Sequence, residues 1–249
     1  MSMNTEFTGK IVVITGGARG IGQCIAEEFI KAGAKVAVID KINKNETGLV
    51  CDLYFCGDIA DEQTLINFTE EVNKKFGRVD YLINNACLGK GGILSDCGYD
   101  DFLYVQKVGV VATYMLAKLF LPCFSENASI VNISSTRSFM SQPNSESYTS
   151  AKGGISSLTH ALAASLAGRV RVNCIAPGWI DTSSSEFSEA DNTQHPAGRI
   201  GKPVDIARAV MFLCGESGGF ITGETITVDG GMTKLMIYHG DCGWNYESK

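Results

Sequence analysis

The chain has no apolar run approaching the roughly 20 residues that a membrane span needs. Its opening stretch, MSMNTEFTGK, is polar and holds no apolar segment of a signal peptide, so no export or membrane insertion is expected. Basic charge is not in excess: 21 Lys and Arg stand against 27 Asp and Glu, a formal net charge of -6. That balance argues against nucleic acid and against an anionic membrane surface. It leaves a phosphate-bearing cofactor open, because backbone N–H groups bind phosphate without any lysine. The nine cysteines, an odd count, include no C-x-x-C pair, and His160, His195 and His239 lie far apart. No metal site is therefore expected, and a reducing, cytoplasmic location with free thiols is. Linkers, low-complexity tracts and internal repeats are also missing. One domain over 1–249, ending in a tail at 232–249, is the economical expectation for a length near the limit of a single core.

What is present is an alternation of short β-branched runs and longer helical stretches. Strands are expected at Lys10–Thr15, Lys35–Asp40, Val79–Ile83, Ser129–Ile133, Val170–Ile175 and Thr225–Val228. Helices are expected at Ile21–Ala32, Thr64–Phe76, Phe102–Phe120, Ser147–Ala167 and Pro203–Cys214. Repeated strand–helix–strand order calls for an α/β fold: a doubly wound parallel sheet of Rossmann type, with helices on both faces. The 17 residues between Asp40 and Asp58 leave little room for a full second crossover helix. Gly178–Gly198 and the tail lack periodicity; each is either a plain surface loop or, as long loops after strands often are, a substrate lid.

The first strand runs straight into Thr15-Gly16-Gly17-Ala18-Arg19-Gly20-Ile21-Gly22. Gly16 permits a tight turn, Gly20 lets backbone approach a pyrophosphate, and Gly22 lets the helix pack on the strand. Asp40, about 20 residues past the loop, closes the second strand where an acid accepts hydrogen bonds from ribose hydroxyls. This favours NAD over NADP, whose 2′-phosphate would meet a like charge; Arg19 and Lys41 pull the other way. Tyr148 and Lys152 stand at i and i+4, on one face of a helix. An ammonium beside a phenol stabilises its phenolate, so the tyrosine can exchange a proton with an alcohol or carbonyl oxygen. Ser135, just past a strand, can donate to the same oxygen.

In order along residues 7–231, these features resemble those of the short-chain dehydrogenase/reductase family in its form of about 250 residues. They are TGGARGIG (15–22), Asp40, Asp58 in GDIAD, NNA (84–86), a serine thirteen residues before Tyr148-x-x-x-Lys152, Pro177-Gly178 with Thr182, and VDGG (228–231). The resemblance implies an oxidoreductase that moves a hydride between a nicotinamide cofactor and an alcohol or carbonyl substrate. Tyr148 is then the acid/base, Lys152 its partner and a ligand of the nicotinamide ribose, and Ser135 the substrate-oxygen donor, with Ser134 the competing assignment. It implies adenine contacts at Asp58 and Ile59, adenosine-ribose contacts at Asn85 and Ala86, and nicotinamide contacts at Pro177, Gly178 and Thr182. It also implies a homodimer or homotetramer built on the helices at Phe102–Phe120 and Ser147–Ala167.

The pattern breaks in places. Gly109 stands where the family has an asparagine that holds a proton-relay water, which implies slowed proton exchange; a glycine there also accommodates a kink. This break keeps a second function open, a dinucleotide sensor without turnover, and a scaffold oligomer is a third. Cys87 replaces a glycine and is either a small buried hydrophobe or a reactive thiol. Ser138 also replaces a glycine. By position Arg137, Phe139, Met140, Gln142 and Trp179 line the substrate pocket. Arg137 is either a handle for an anionic substrate or a surface cation. Tyr238, His239, Trp244 and Tyr246 make the tail aromatic enough that it is expected to dock, on its own subunit or across a boundary.

Overall fold

A computed structural model describes residues 5–243 and 245. Its centre is a seven-stranded, all-parallel sheet in the order β3-β2-β1-β4-β5-β6-β7. The strands are β1 Ile11–Thr15, β2 Lys35–Asp40, β3 Leu53–Cys56, β4 Val79–Asn84, β5 Phe124–Ile133, β6 Val170–Pro177 and β7 Thr225–Val228. Every side chain of β1 and β4 is buried, the polar Asp80 and Asn84 included, as expected of strands covered on both faces. The helices are α1 Gly20–Lys31, α2 Glu62–Phe76, α3 Tyr99–Gln106, α4 Ala112–Leu119, α5 Glu146–Ser165, α6 Glu189–Thr193 and α7 Pro203–Cys214. On one face α1 and α7 cover Val12, Ile14, Val36, Val38 and Ile83, with Phe7, Phe29 and Tyr81 in mutual ring contact. On the other, α2, α4 and α5 cover Val13, Ala37, Leu82, Ile130 and Val172 around Phe68 and Phe120. The doubly wound expectation holds.

Three elements differ from the sequence expectation. β3 was not anticipated: it is an edge strand of only four residues, too short for a visible alternation. The connection before it contains only a 3₁₀ turn, Lys44–Glu46, in keeping with its short length. The helix expected over Phe102–Phe120 is interrupted by a π-helical turn, Lys107–Val111, centred on Gly109. The short α6 lies inside the aperiodic stretch, where Ser188 and Asp191 close it with a reciprocal capping box. Elsewhere the ends shift by a few residues. Helix α2, for example, starts two residues early because the Asp61 carboxylate accepts the Thr64 N–H at 2.9 Å, and ends at Gly77 in the left-handed conformation.

Chain order reverses between β1 and β4, so the loops at the carboxyl ends of those strands part and leave a crevice. That crevice holds the candidate site. Among the described residues, no helix is long and apolar enough to cross a membrane.

Candidate active site

Three connected spaces open along the carboxyl rim of the sheet. The first, about 640 Å³, lies over the β1 and β2 ends and brings together Gly16, Arg19, Gly20, Ile21, Gly22, Asp40, Asp58, Ile59, Asn85, Ala86 and Thr182. Eleven residues spread over 167 positions of sequence thus meet in one cleft.

Backbone geometry dictates its floor. Gly16 and Gly20 have φ of +68° and +58°, in the region that disfavours side chains. A Cβ at Gly22 would sit 2.1 Å from the Gly16 carbonyl oxygen, so only glycine lets α1 approach the loop. Asn85 clamps the loop from above, its amide donating to the carbonyls of Thr15 at 3.0 Å and Gly16 at 2.9 Å. The N–H groups of Gly20, Ile21 and Gly22 have no acceptor among the described residues, since the first helical bond is Gln23 N–H to Arg19 carbonyl. The flush glycine floor and these unengaged donors fit the pyrophosphate of a dinucleotide.

At the far end of this cleft, Asp40 accepts the N–H groups of Ala18 at 2.9 Å and Ile42 at 3.1 Å. Its neighbour Lys41 is not a loose surface charge. It lies 3.0 Å from Asp58 and donates to the Tyr104 hydroxyl at 2.7 Å, while that hydroxyl donates to Asp58 at 2.8 Å. The Tyr104 and Asp58 bonds push the Lys41 ammonium up to about 12. Burial alone would raise the Asp58 carboxyl, but the Ala60 N–H, Lys41 and Tyr104 together hold it below the usual range. Tyr104 was missed in the sequence, where a tyrosine on an amphipathic helix carries no signal of its own. Arg19 makes no ion pair among the described residues.

The second space, about 200 Å³, joins the cleft to the third and is lined by Ser135, Tyr148, Lys152, Pro177, Gly178, Asn85 and Cys87 among others. Helix α5 carries Tyr148 and Lys152 on one face; the buried Lys152 ammonium donates to the Ile133 carbonyl at 2.7 Å and lies 5.4 Å from the Tyr148 ring centre. Ser135 caps the 3₁₀ turn Thr136–Ser138 and accepts the Arg137 N–H at 3.2 Å, which leaves its hydroxyl proton for a ligand. Ser134 is engaged elsewhere: it donates to the Lys152 carbonyl at 2.7 Å and accepts from Ser156 at 2.9 Å. Ser138, the other unexpected serine, donates to the Ser135 carbonyl at 2.8 Å and steadies the turn. Gly178 passes so close to the turn after β7 that a Cβ would meet Asp229 Cβ at 2.5 Å.

Gly109 has a packing role. A Cβ there would lie 3.1 Å from Ala151 Cβ on α5 and 3.5 Å from Cys87 Sγ, and the Gly109 carbonyl accepts the Thr113 hydroxyl at 2.7 Å. The π turn therefore presses directly on the helix that carries Tyr148 and Lys152. Next to it, Asn84 donates to Asn132 at 2.9 Å, and Asn132 to Thr159 at 2.9 Å; the buried Asn84 Oδ1 is left without a donor.

The third space, about 770 Å³, opens outward from Ser135 and Tyr148. Arg137, Met140, Gln142 and Trp179 line it as expected from position, but Phe139 does not: the 3₁₀ turn ends there and leaves its ring 56% exposed. Asn144, Gln194 and Met232 were not foreseen. Asn144 has a detectable signal, since its φ of +62° is one that turn asparagines adopt, whereas Gln194 and Met232 arrive from segments without periodicity. Buried His195, behind Trp179, was also missed; its Nδ1 lies 3.0 Å from the Asp191 carbonyl and its Nε2 has no partner. The tail returns to its own subunit at Asp241–Gly243, which lies against α6, while Tyr238 is 69% exposed and His239 is exposed. Trp244 and Tyr246 lie outside the described residues. Among the described residues no cluster of metal-ligating side chains forms.

Comparison with known proteins gives a consistent answer. A family model described as enoyl-(acyl carrier protein) reductase matches residues 16–233. An uncharacterized oxidoreductase of Thermotoga maritima is 38% identical over 92% of this chain and 98% of its own. An apo SCOR enzyme of Clostridium thermocellum superposes with a TM-score of 0.87 at 47% identity, over 97% of this chain and 99% of that one. A 3-ketoacyl-(acyl-carrier-protein) reductase of Brucella melitensis, solved with NADH, superposes with a TM-score of 0.83 at 32% identity, over 91% and 99%.

Proposed function

This chain belongs to the short-chain dehydrogenase/reductase family, and from that premise we propose that it interconverts an alcohol and its carbonyl compound through Ser135, Tyr148 and Lys152. The observation that carries the proposal is the convergence of these three side chains on one small cavity that opens into the glycine-floored cleft. A nicotinamide dinucleotide, when bound in that cleft, supplies the hydride acceptor or donor. The glycine loop, the N-terminus of α1, Asp40, Asp58, Ile59, Asn85 and Ala86 would hold its adenosine and pyrophosphate, and Pro177, Gly178 and Thr182 its nicotinamide end.

Tyr148 takes the hydroxyl proton from an alcohol substrate, or gives a proton to a carbonyl oxygen. Lys152, anchored by the Ile133 carbonyl, keeps a positive charge beside the phenolate and stabilises it. Ser135 donates to the same substrate oxygen and orients it. The cofactor is NAD in this reading: the Asp40 carboxylate would oppose a 2′-phosphate, and Lys41, which would offset that charge, is held by Asp58 and Tyr104. Arg19, unpaired among the described residues, is the feature that favours NADP. The family also supports a homodimer or homotetramer joined through α3–α4 and α5, where Tyr99, Phe102, Leu103, Val111 and Tyr114 are exposed. Cysteines that stay as thiols support a cytoplasmic location.

Fluorescence titration with NADH and NADPH, followed by absorbance assays on a panel of alcohols and ketones, tests this. Tyr148→Phe is expected to lower turnover by about 10²- to 10⁴-fold while still binding NADH. A Tyr148→Phe protein as fast as the parent would overturn the proposal, and NADH binding without turnover on any substrate would favour a sensor.

A further inference from the structure

The lining of the 770 Å³ space has one charged residue, Arg137, and no Asp or Glu. Four acids on the elements that border it are engaged by backbone N–H groups elsewhere. Glu146 accepts the Ile93 N–H at 3.3 Å, and Asp181 accepts those of Ser183 and Ser185 at 3.0 and 3.3 Å. Asp191 accepts the Ser188 N–H at 2.9 Å, and Asp229 those of Gly231 and Thr233 at 2.9 and 2.8 Å. None reaches Arg137, which makes no ion pair among the described residues and whose guanidinium donates only to the neutral Gln142 Oε1.

The neutral polar groups around Arg137 share one polarity. Gln142 Oε1 is engaged by the guanidinium, and Asn144 Oδ1 accepts the N–H groups of Gly92 at 2.9 Å and Leu94 at 3.1 Å. Ser135 Oγ accepts the Arg137 N–H at 3.2 Å. With those acceptors satisfied, the cavity is offered N–H groups of Gln142 and Asn144, the Ser135 hydroxyl proton and the remaining guanidinium donors. A cation set among donors, in a half-enclosed space where screening is weaker than at the surface, calls for an anion rich in acceptor oxygens.

We infer that the substrate is a carboxylate, a hydroxy- or oxo-acid of sugar size, whose acid group is received by Arg137 while Ser135 and Tyr148 hold the reacting oxygen. The inference rests on the oxidoreductase reading above and adds the chemistry of the ligand. Arg137 follows Ser135 on one 3₁₀ turn, so a single ligand can touch both. The size follows from the volume, far more than a three- or four-carbon acid fills. Trp179, Met140 and Met232 supply an apolar wall against which the C–H face of a polyol packs. Planar guanidinium also suits two-pronged recognition of a carboxylate, which a neutral hydroxymethyl group cannot return.

The test uses the full chain saturated with NADH, so that an alcohol ligand forms a ternary complex that cannot react. D-Gluconate and D-glucitol, which differ only by carboxylate in place of hydroxymethyl, are titrated by calorimetry. Gluconate is expected to bind about 10- to 100-fold more tightly, the worth of a hydrogen-bonded charge. Added NaCl should weaken gluconate and spare glucitol. Arg137→Gln should abolish the preference and Arg137→Lys restore part of it, with NADH binding by each variant reporting that it is folded. Equal affinities in the parent, a preference that survives Arg137→Gln, or binding of neither ligand would each overturn the inference. Loss of NADH binding by the parent itself is a different result, and would overturn the cofactor reading instead.

Discussion

Two spaces of the same size, about 640 Å³ each, lie at opposite rims of the sheet, and only one has the makings of a site. The amino-rim space is lined by Glu6, Lys10, Glu126, Arg169, Arg171 and Glu216, more charge than the carboxyl-rim cleft displays. Yet several of its polar groups answer one another, although the Glu126 and Glu216 carboxylates face solvent. Arg171 donates to the carbonyls of Leu213 at 2.7 Å, Gly218 at 2.9 Å and Cys214 at 3.1 Å, closing the end of α7, and Glu6 accepts the Glu216 N–H. Beside this space, Asp80 accepts the Ile11 N–H and the Ser125 hydroxyl, both at 2.8 Å, and lies 3.2 Å from the Arg78 Nε. In the cleft at the other rim the α1 N–H groups and Arg19 are left unanswered. Neither volume nor charge separates the two rims; unengaged N–H groups at the start of a helix do.

If that contrast is right, changes at the amino rim should cost stability and leave the chemistry alone. The largest effect is expected from Arg171→Met, which strips three or more carbonyls of their donor: a loss of about 3 kcal/mol in urea unfolding, with NADH affinity of the folded fraction retained. A variant that melts with the parent would break the comparison. Gly109→Asn sharpens it from the site side. Crowding Ala151 should cost about 1–3 kcal/mol and slow turnover by displacing α5. Full stability with faster turnover would instead make the missing asparagine a lost proton relay.

The smallest effect is a pH dependence at Asp80. Burial alone would raise this carboxyl, but the Ile11 N–H, Ser125 and Arg78 together hold it below the usual carboxylate range. A folded value below the unfolded one, about 3.9, gives stability that is complete above that pH and is lost as pH falls through the folded value. The Tm gap between the parent and Asp80→Asn should accordingly be constant near neutrality and close as the pH is lowered below about 4. A gap that persists unchanged in acid would show that the carboxylate charge is not what the rim holds.

The glycine-floored cleft and the Tyr148–Lys152 pair were more legible than the outer space around Arg137. Gly16, Gly20 and Gly22 announce themselves because the backbone path excludes a side chain, and an acid at a strand end or a Tyr and Lys four apart on a helix follow from period and spacing. Tyr104 and His195 were illegible, since nothing local distinguishes a tyrosine that bridges Lys41 to Asp58, or a histidine folded behind Trp179, from ordinary packing. Phe139 shows the limit from the other side: its neighbours Arg137 and Met140 line the cavity, and it does not, because a single 3₁₀ turn rotates it outward. The edge strand β3 escaped notice for want of length, and the break in the long helix because a π turn leaves the apolar pattern almost intact.

By itself, then, the amino-acid order determined the α/β class, the glycine floor and the register of Tyr148 on Lys152, all of which depend on contacts within a few turns of chain. Which polar groups end up satisfied was decided only in three dimensions. Lys41 bound to Asp58, Ser134 bound to the Lys152 carbonyl and Gly109 pressed on α5 each join segments 17 or more residues apart. A side chain's capacity for chemistry is what remains after its tertiary neighbours have taken their share, and no local pattern records those neighbours.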